Sequence, residues 1–316
     1  MNITDLLTIT LRLAAPTILV AQGGLFSMRI DIFNLGLEGF MLMGCFTSIV
    51  GAYLTANAYL GILAAALLGT LVMLVYAFFI FELHVDPVVC AIAIITIASG
   101  LTRFLLVSWF KSSGRLYLPE GAALSTIQIP FLNHLPFVGP ILNNHSILVY
   151  FALLVPFLVY FILYKTNFGL SLRAVGMNQE AAVSASIPVK RIQYLSMAIG
   201  GMLCGLGGAQ LAMASNLFNV GMTNGRGYTA IAALILTGSE PIRTFWACLV
   251  FGFAEALVLM LSGEGYPVQI LSMLPYVLAL MVAILPPVVG KMMLRIRTAK
   301  TTGKLLQSTV IETENK

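Results

Sequence analysis

Long apolar segments recur along most of this chain and limit its possible folds more than any other feature. An α-helix rises about 1.5 Å per residue, so about 20 apolar residues cross the roughly 30 Å hydrocarbon core of a bilayer. The segments have approximate bounds 6–28, 39–56, 60–82, 87–109, 145–164, 191–213, 228–236, 244–262 and 270–289. They predict an all-α polytopic membrane protein with about nine transmembrane helices. A water-soluble fold is excluded, because 59% apolar and 9% charged residues leave too little polar surface.

The longest polar segment between two apolar regions is residues 165–191, termed the basic loop. It carries Lys165, Arg173, Lys190 and Arg191. Basic residues concentrate in the cytoplasmic loops of membrane proteins, so we expect this loop to be cytoplasmic. More basic residues follow the last apolar segment, and together they explain the net charge of +5 without any binding of nucleic acid. We expect a single transmembrane domain, residues 1–290, and a basic, disordered cytoplasmic tail, residues 291–316.

The apolar segment 228–236 is too short to cross a bilayer alone, because about nine residues make roughly 14 Å of helix. It is either a re-entrant half-helix that returns to the same side or the second half of a broken span. Parity favours the broken span. An even number of crossings must separate the basic loop from the basic tail, and the long segments between them supply an odd number. The same count places the N-terminus outside and residues 29–39 near the cytoplasmic side.

Two short segments of the chain are similar in sequence. Residues 33–36 read Phe-Asn-Leu-Gly and residues 218–221 read Phe-Asn-Val-Gly, and each follows a glycine-containing span and precedes a short apolar helix. The predicted crossings between them would give the two copies opposite orientations. This arrangement indicates an inverted repeat with broken helices beside a translocation path.

Within the basic loop, the residue pattern predicts a short helix at 179–187. Gly176 permits a turn, Asn178 can cap the helix, Glu180 is favourable in its first turn, and Pro188 ends it. Alanine and serine would form the exposed face, and these side chains are small enough to sit in a groove on a soluble partner. The alternative is a solvated loop with an incidental helix.

The sequence contains no site at which this chain could hydrolyse ATP or hold a metal. A phosphate loop, G-x-x-x-x-G-K-[ST], is absent, because the Gly290-Lys291 pair is followed by methionine. The cysteines lie inside apolar segments at no metal-ligand spacing. We predict no catalytic residue, no metal and no cofactor bound by this chain, so any ATP must be hydrolysed on another chain.

Several motifs resemble the permease subunits of bacterial ABC importers for sugars, nucleosides and branched-chain amino acids, and most closely the nucleoside and simple-sugar branch. The first is Asn34-Leu-Gly-Leu-Glu38-Gly39-Phe-Met-Leu-Met-Gly44, and a second is Leu172-Arg173-Ala-Val-Gly176 followed by Ala181-Ala182. Later blocks are Gly207-Gly208-Ala209, Gly225-Arg226-Gly227-Tyr228-Thr-Ala-Ile-Ala-Ala233 and Phe251-Gly252-Phe-Ala-Glu255-Ala256. The match covers nearly the whole chain.

This resemblance implies a type II ABC importer in the bacterial cytoplasmic membrane. Such an importer has two permease subunits, which are identical or different chains, two subunits that bind ATP and Mg, and an extracytoplasmic substrate-binding protein that docks on outer loops such as 111–144. This chain would be the multi-pass, lipid-surrounded permease and not an enzyme, and the solute would be a nucleoside or a simple sugar. Coupling to the ATPase would involve Arg173, Gly176, Asn178, Glu180, Ala181 and Ala182.

The candidate residues of the solute path lie at the predicted helix breaks. Asn34, Glu38, Asn219 and Asn224 could hydrogen-bond ribose hydroxyls or could satisfy freed backbone groups. The aromatic residues Phe33, Phe218 and Tyr228 could stack on a base or could simply pack. Glu255 lies in the middle of a span, where an unpaired carboxylate is unfavourable, so it marks either a path or an ion pair, and Arg226 is the nearest plausible partner.

Two other classes of protein compete with the importer interpretation. A secondary transporter of a small polar solute, driven by an ion gradient, would need a relay of intramembrane acids or histidines, and Glu255 is nearly alone in that role. A membrane assembly scaffold would explain the apolar bulk but not the broken helices.

Overall fold

The computed structural model describes residues 3–112, 114–119, 121–128, 138–262 and 273. The helices are α1 (Ile3–Met28), α2 (Leu37–Thr55), α3 (Ala58–Phe81), α4 (Pro87–Phe110), α5 (Val138–Leu142), α6 (Ile147–Lys165), α7 (Asn167–Met177), α8 (Gln179–Ser184), α9 (Val189–Ser215), α10 (Arg226–Thr237) and α11 (Pro241–Ser262). The short strands are β1 (Arg115–Tyr117), β2 (Thr126–Ile127), β3 (His145–Ser146) and β4 (Leu217–Asn219).

The described residues form a helical membrane bundle, as predicted. Among them, seven helices are long and apolar enough to cross a membrane, namely α1, α2, α3, α4, α6, α9 and α11. Each corresponds to a predicted span with ends within a few residues. The predicted span 270–289 and the predicted tail 291–316 lie outside the described residues, so the count of about nine helices stays a prediction.

Local capping residues explain where several helices begin and end. The Asn57 side chain accepts a 2.9 Å hydrogen bond from the Tyr59 N–H at the start of α3. Asp86 accepts from the N–H groups of Val88 and Val89 at the start of α4, just ahead of Pro87 in the first turn. These side chains satisfy N–H groups that have no partner within the helix.

Helix α9 lies at the centre of the bundle. Of the residues in its most apolar 18-residue stretch, 78% are buried. Its glycines let the backbones of α1, α2 and α3 approach closely. A Cβ at Gly201 would stand 2.5 Å from the Gly69 carbonyl oxygen of α3, and one at Gly200 would stand 2.8 Å from the Gly23 carbonyl oxygen of α1. Small residues allow this close packing in membranes.

Helices α3 and α4 are the least buried of the seven spans, because only 33% and 22% of the residues in their most apolar 18-residue stretches are buried. Their outward side chains are large and apolar, as in Leu67 and Phe104. A surface of this kind suits contact with lipid.

The two ends of the bundle differ in their structure. At one end, termed the basic-loop end, Lys190 at the start of α9 pairs with Glu82 just after α3. At the opposite end, termed the strand end, β1 pairs antiparallel with β4, and β2 pairs antiparallel with β3. The first pairing brings the loop that begins at residue 111 against the segment that follows α9, and the second brings it against the start of α6.

The path of α10 decides between the two interpretations of segment 228–236. Helix α9 leaves the basic-loop end, and β4 places the chain at the strand end. After α10, Glu240 pairs with Arg29, the residue that follows α1 at the basic-loop end. The segment 216–237 therefore makes the return crossing, which confirms the broken span.

The basic loop contains two helices and corrects three predictions. Gly176 lies within helix α7 and not in a turn. A glycine is needed there because the residue packs directly against the Arg29 carbonyl group. The helix predicted at 179–187 ends at Ser184, since Ser186 adopts the left-handed φ of 59°. Ala182, expected on the exposed face, is buried.

Candidate solute path and coupling surface

Glu38 brings the beginnings of α2 and α10 together. Its Oε1 accepts a 2.9 Å hydrogen bond from the Gly225 N–H, and its Oε2 accepts a 2.7 Å bond from the Gly227 N–H. Gly225 has a φ of 81°, which favours glycine, and a Cβ at Gly227 would collide with Glu38. The carboxylate is only 9% exposed. It is held by two N–H groups at the positive end of the α10 dipole.

Asn34 organises the turn that precedes α2. Its Oδ1 accepts a 2.9 Å hydrogen bond from the Gly36 N–H, and its Nδ2 lies 3.4 Å from the Met73 sulfur. The side chain is buried. The polar atoms of Asn34 and Glu38 are therefore directed at the protein itself, as expected from the interpretation that they satisfy freed backbone groups.

Glu255 of α11 forms an ion pair with Arg226, which is one of the two alternatives that the sequence left open. The distance from Arg226 Nη2 to Glu255 Oε2 is 2.7 Å, and the two side chains are 18% and 21% exposed. Arg226 is the first residue of α10, next to the glycines that bind Glu38. The start of α10 thus combines one cation and two carboxylates, of which one is paired with the cation and the other with backbone N–H groups.

The remaining predicted path residues are distributed unevenly. Tyr228 is 47% exposed on α10, and Asn224 is exposed just before it. Asn219 lies in β4 opposite Arg115. Phe33 is 40% exposed, whereas its sequence counterpart Phe218 is fully buried and packs edge-on against Phe46. The two similar segments, 33–36 and 218–221, lie toward opposite ends of the bundle, but they differ in local structure and burial.

The predicted coupling residues lie on α7 and α8. Asn178 caps α8 as predicted, with its Oδ1 accepting a 3.0 Å hydrogen bond from the Ala181 N–H. Glu180 and Ala181 are exposed, and Ala182 faces the protein. Arg173 lies over the ring of Tyr164, with its guanidinium carbon 5.0 Å from the ring centroid, a distance typical of a cation–π contact.

A cluster that sequence reasoning missed lies at the basic-loop end, and it is termed the Tyr164 cluster: Arg29, Tyr164, Arg173 and Glu240. Arg29 donates hydrogen bonds to the Tyr164 hydroxyl at 3.1 Å, to the Ser239 carbonyl at 2.8 Å and to Glu240 Oε1 at 3.2 Å. The Tyr164 hydroxyl donates to Glu240. The sequence offered one signal, the charged Arg29 at the end of an apolar span, but no local pattern connects it with residues far along the chain.

The exposed ion pair at the same end links different helices. Lys190 donates to both carboxylate oxygens of Glu82, at 2.9 and 2.8 Å. These hydrogen bonds hold the pKa of Glu82 below its usual value, because they stabilise its charged form. This pair joins the end of α3 to the start of α9.

The strand end contains a polar cavity of about 150 Å³, lined in part by Arg12, Ser146, Gln210 and Asn216. The Ser146 hydroxyl donates to Gln210 Oε1 at 3.0 Å. Beside it, His145 Nε2 lies 2.8 Å from the Ile141 carbonyl oxygen. Burial lowers the pKa of His145, and the nearby charge of Arg12 lowers it further, against the opposing effect of the Ile141 bond.

Helices that are interrupted inside a membrane bundle, and whose broken ends meet through charged and amide groups, are typical of membrane transport proteins. The fold and the site therefore define a polytopic membrane permease. The chain belongs to the family described as branched-chain amino acid transport system / permease component, whose model matches residues 6–285. It is a multi-pass inner-membrane protein and a transport subunit, not an enzyme.

Curated relatives match almost the full length of the chain. It is 35% identical to the guanosine ABC transporter permease NupQ of Bacillus subtilis, over 89% of this chain and 92% of the relative. It is 33% identical to the nucleoside ABC transporter permease NupC of Lactococcus lactis, over 85% and 88%. It is 34% identical to TsgC13 of Haloferax volcanii, whose name gives glucose as the provisional solute, over 80% and 77%. No solved structure matches the chain.

Proposed function

We propose that this chain forms the translocation path for a nucleoside in an ABC importer and that ATP hydrolysis on partner subunits drives transport. The observation that carries the proposal is the meeting of the interrupted segments at Glu38, inside a bundle of membrane-spanning helices. The names of two relatives, which specify guanosine and nucleosides, favour a nucleoside over a simple sugar. A simple sugar remains the second candidate, favoured by the glucose relative.

The solute path proposed here follows the exposed side of the α10 break. Tyr228 and Phe33 offer aromatic surface for a base, and Asn219 and Asn224 offer amide groups for ribose hydroxyls. The buried groups of Asn34 and Glu38 and the Arg226–Glu255 pair would shape the path from behind and not touch the solute. Partners already occupy Asn34 Oδ1, both Glu38 oxygens, Arg226 Nη2 and Glu255 Oε2. A solute would have to displace these partners to bind at those atoms.

The proposed coupling surface is the exposed part of α7 and α8. Glu180 and Ala181 would enter a groove on the ATP-binding subunit, and Arg173, Gly176, Asn178 and Ala182 would hold these helices in place. ATP and Mg would bind to the partner subunits. A second permease, identical or different, would complete the membrane unit, and an extracytoplasmic binding protein would dock at the strand end. Residues 1–290 would act as one transmembrane domain with a basic tail.

An ion-gradient-driven transporter is disfavoured by the partners of the buried acids. Within the part of the chain that the structure describes, Glu255 is paired with Arg226 and Glu38 with backbone N–H groups. A proton relay needs acids that can gain and lose protons in the membrane. Both carboxylates are instead engaged by fixed partners within the protein.

The test is uptake by the complete transporter, with its partner subunits, reconstituted in proteoliposomes. We expect uptake of labelled guanosine that requires ATP inside the vesicles and the binding protein on the other side. Unlabelled nucleosides should compete with the labelled solute, while glucose and pentoses should not. Uptake of labelled glucose but not of labelled guanosine would assign the sugar branch. Uptake that persists without ATP but stops with an ionophore would contradict the importer.

A further inference from the structure

We propose that Tyr164 and Glu240 are positioning residues that transmit movement of α7 to α10. This inference rests on the proposed function. The Tyr164 cluster connects the two helices through the side chain of Tyr164, which belongs to α6. On one side of the Tyr164 ring lies Arg173 of α7, and the Tyr164 hydroxyl donates to Glu240, in the turn after α10. Neither Tyr164 nor Glu240 belongs to the predicted coupling or path residues.

Helix α10 is held at both ends by polar contacts. At its start, Glu38 accepts from the N–H groups of Gly225 and Gly227. At its end, Arg29 donates to the Ser239 carbonyl at 2.8 Å and to Glu240 at 3.2 Å. Its 12 residues form a short rigid rod. A displacement applied to the Glu240 end therefore reaches the Glu38 end, beside the proposed path.

The turn between α10 and α11 is built tightly. Gly238 and Ser239 both adopt left-handed backbone conformations, with φ of 64° and 56°. The carbonyl group of Ser239 faces Arg29, which neutralises part of the negative end of the α10 dipole. The Tyr164 cluster is thus one of the contacts that hold this turn, together with the Thr237–Thr244 hydroxyl bond and the Gln22 bond to the Pro241 carbonyl. A change in the cluster therefore acts directly on the position of the turn.

Helix α7 acts on two members of the cluster at once. Its Gly176 packs against the carbonyl group of Arg29 so closely that no Cβ would fit, and its Arg173 lies over Tyr164. The chain between α6 and α7 breaks at Thr166, where the backbone is extended, with φ of −120° and ψ of 156°. Movement of α7 about this break would displace Arg29 and Tyr164, the two residues that donate hydrogen bonds to Glu240.

The hydroxyl of Tyr164 is well suited to this role, because hydrogen-bond strength falls steeply with misalignment. A small rotation of the ring breaks the bond to Glu240 without unpacking the helices. A static brace would behave differently. It would contribute to folding and assembly, but its removal would leave the number of solute molecules moved per ATP unchanged.

The decisive variant is Tyr164→Phe, which removes the hydroxyl and keeps the ring under Arg173. Uptake and ATP hydrolysis are measured in the same proteoliposomes that contain the complete transporter. We expect uptake per ATP to fall about fivefold, as for the loss of one hydrogen bond, while ATP hydrolysis stimulated by the binding protein persists. Glu240→Gln also weakens the bond from Arg29, so it should lower the ratio at least as far, and the double variant should be no worse than Glu240→Gln alone.

The matched control is Glu82→Gln, which breaks the ion pair with Lys190 at the same end and leaves α10 untouched. We expect its uptake per ATP to equal that of the unchanged protein. A Tyr164→Phe ratio equal to that of the control overturns the proposal. Absence of any guanosine uptake by the unchanged complex instead contradicts the proposed function.

A second measurement tests the connection without any solute. Spin labels are attached at Ser184→Cys on α8 and Ile235→Cys on α10, two exposed positions, and the distance between them is measured with and without ATP. We expect an ATP-dependent change in the complete transporter that disappears on adding Tyr164→Phe. An unchanged ATP response in the Tyr164→Phe variant, or no response before it is introduced, contradicts the proposal.

Discussion

Glu38 in the first turn of α2 accepts a 2.7 Å hydrogen bond from the backbone N–H of Gly227 in the first turn of α10, across 189 residues of sequence. One carboxylate therefore lies at the beginnings of two helices. Helix beginnings carry partial positive charge and N–H groups without helical partners. The contact explains why a charged side chain is stable in this buried position, and it fixes how the two segments meet.

The first prediction concerns this cap. Glu38→Ala leaves the N–H groups of Gly225 and Gly227 without an acceptor, so the free energy of unfolding should fall by about 3 kcal/mol. Glu38→Gln, which keeps an acceptor but loses the charge, should cost less. The measurement is thermal unfolding of the purified protein in detergent. Glu180→Ala, in the first turn of the exposed helix α8, serves as the control, and equal midpoints for the two alanine variants would refute the cap.

The second prediction concerns the Arg226–Glu255 pair. Arg226→Met leaves the carboxylate of Glu255 without its partner, which should destabilise the protein by about 2 kcal/mol, a value reduced for partial exposure. Replacing both residues by methionine should recover most of the loss. The thermal midpoints of the two single variants and the double variant test this expectation. Additive losses would show that the two residues do not act as a pair.

The third prediction concerns Gly176. A methyl group there collides with the Arg29 carbonyl, so Gly176→Ala should displace α7 and reduce ATP-dependent uptake several-fold. Gly100→Ala is the matched control, because no atom lies within 4 Å of a Cβ at that helical position. It should leave uptake unchanged and stabilise α4 slightly. Equal uptake by the two variants would mean that α7 tolerates the displacement.

The fourth prediction concerns pH. Since burial lowers the pKa of His145, the unfolded chain binds a proton below pH about 6.5 that the folded chain resists. The unfolded state then holds more protons, so stability should decrease as pH falls from neutral toward 5. Comparison of thermal midpoints at pH 7.5 and 5.5 tests this, with His145→Gln expected to show a smaller decrease. His84→Gln, at an exposed turn, should retain the full decrease.

The bounds of the long helices could be predicted from the sequence because the bilayer imposes a length on every apolar segment. The broken span also followed from sequence, since crossing parity is a counting constraint that needs no contacts. The Arg226–Glu255 pair was predictable for a related reason. A mid-span carboxylate needs a cation at the same depth, and few were available.

The Tyr164 cluster could not be predicted, because its members come together only when the ends of four separate segments meet. Gly176 shows the same limit in reverse. We interpreted this glycine as the signal of a local turn, whereas the structure explains it by a tertiary contact with Arg29 that leaves no room for a side chain. The predicted end of α8 was wrong because Pro188 shows only that the helix cannot continue past it. The helix ends earlier, since the backbone of Ser186 is left-handed.

The β1·β4 pairing has a consequence for how the protein is made. Arg115 lies opposite Asn219, so β1 must wait for about 100 further residues before its partner strand is synthesised. At about 5–20 residues per second, that delay is roughly 5–20 s. Spans that insert in the order of their synthesis would lie in the membrane during this delay with an unpaired strand beside them. The strand end of the permease is thus completed late in translation, and the edge of β1 stays accessible to a chaperone or a neighbouring chain during this interval.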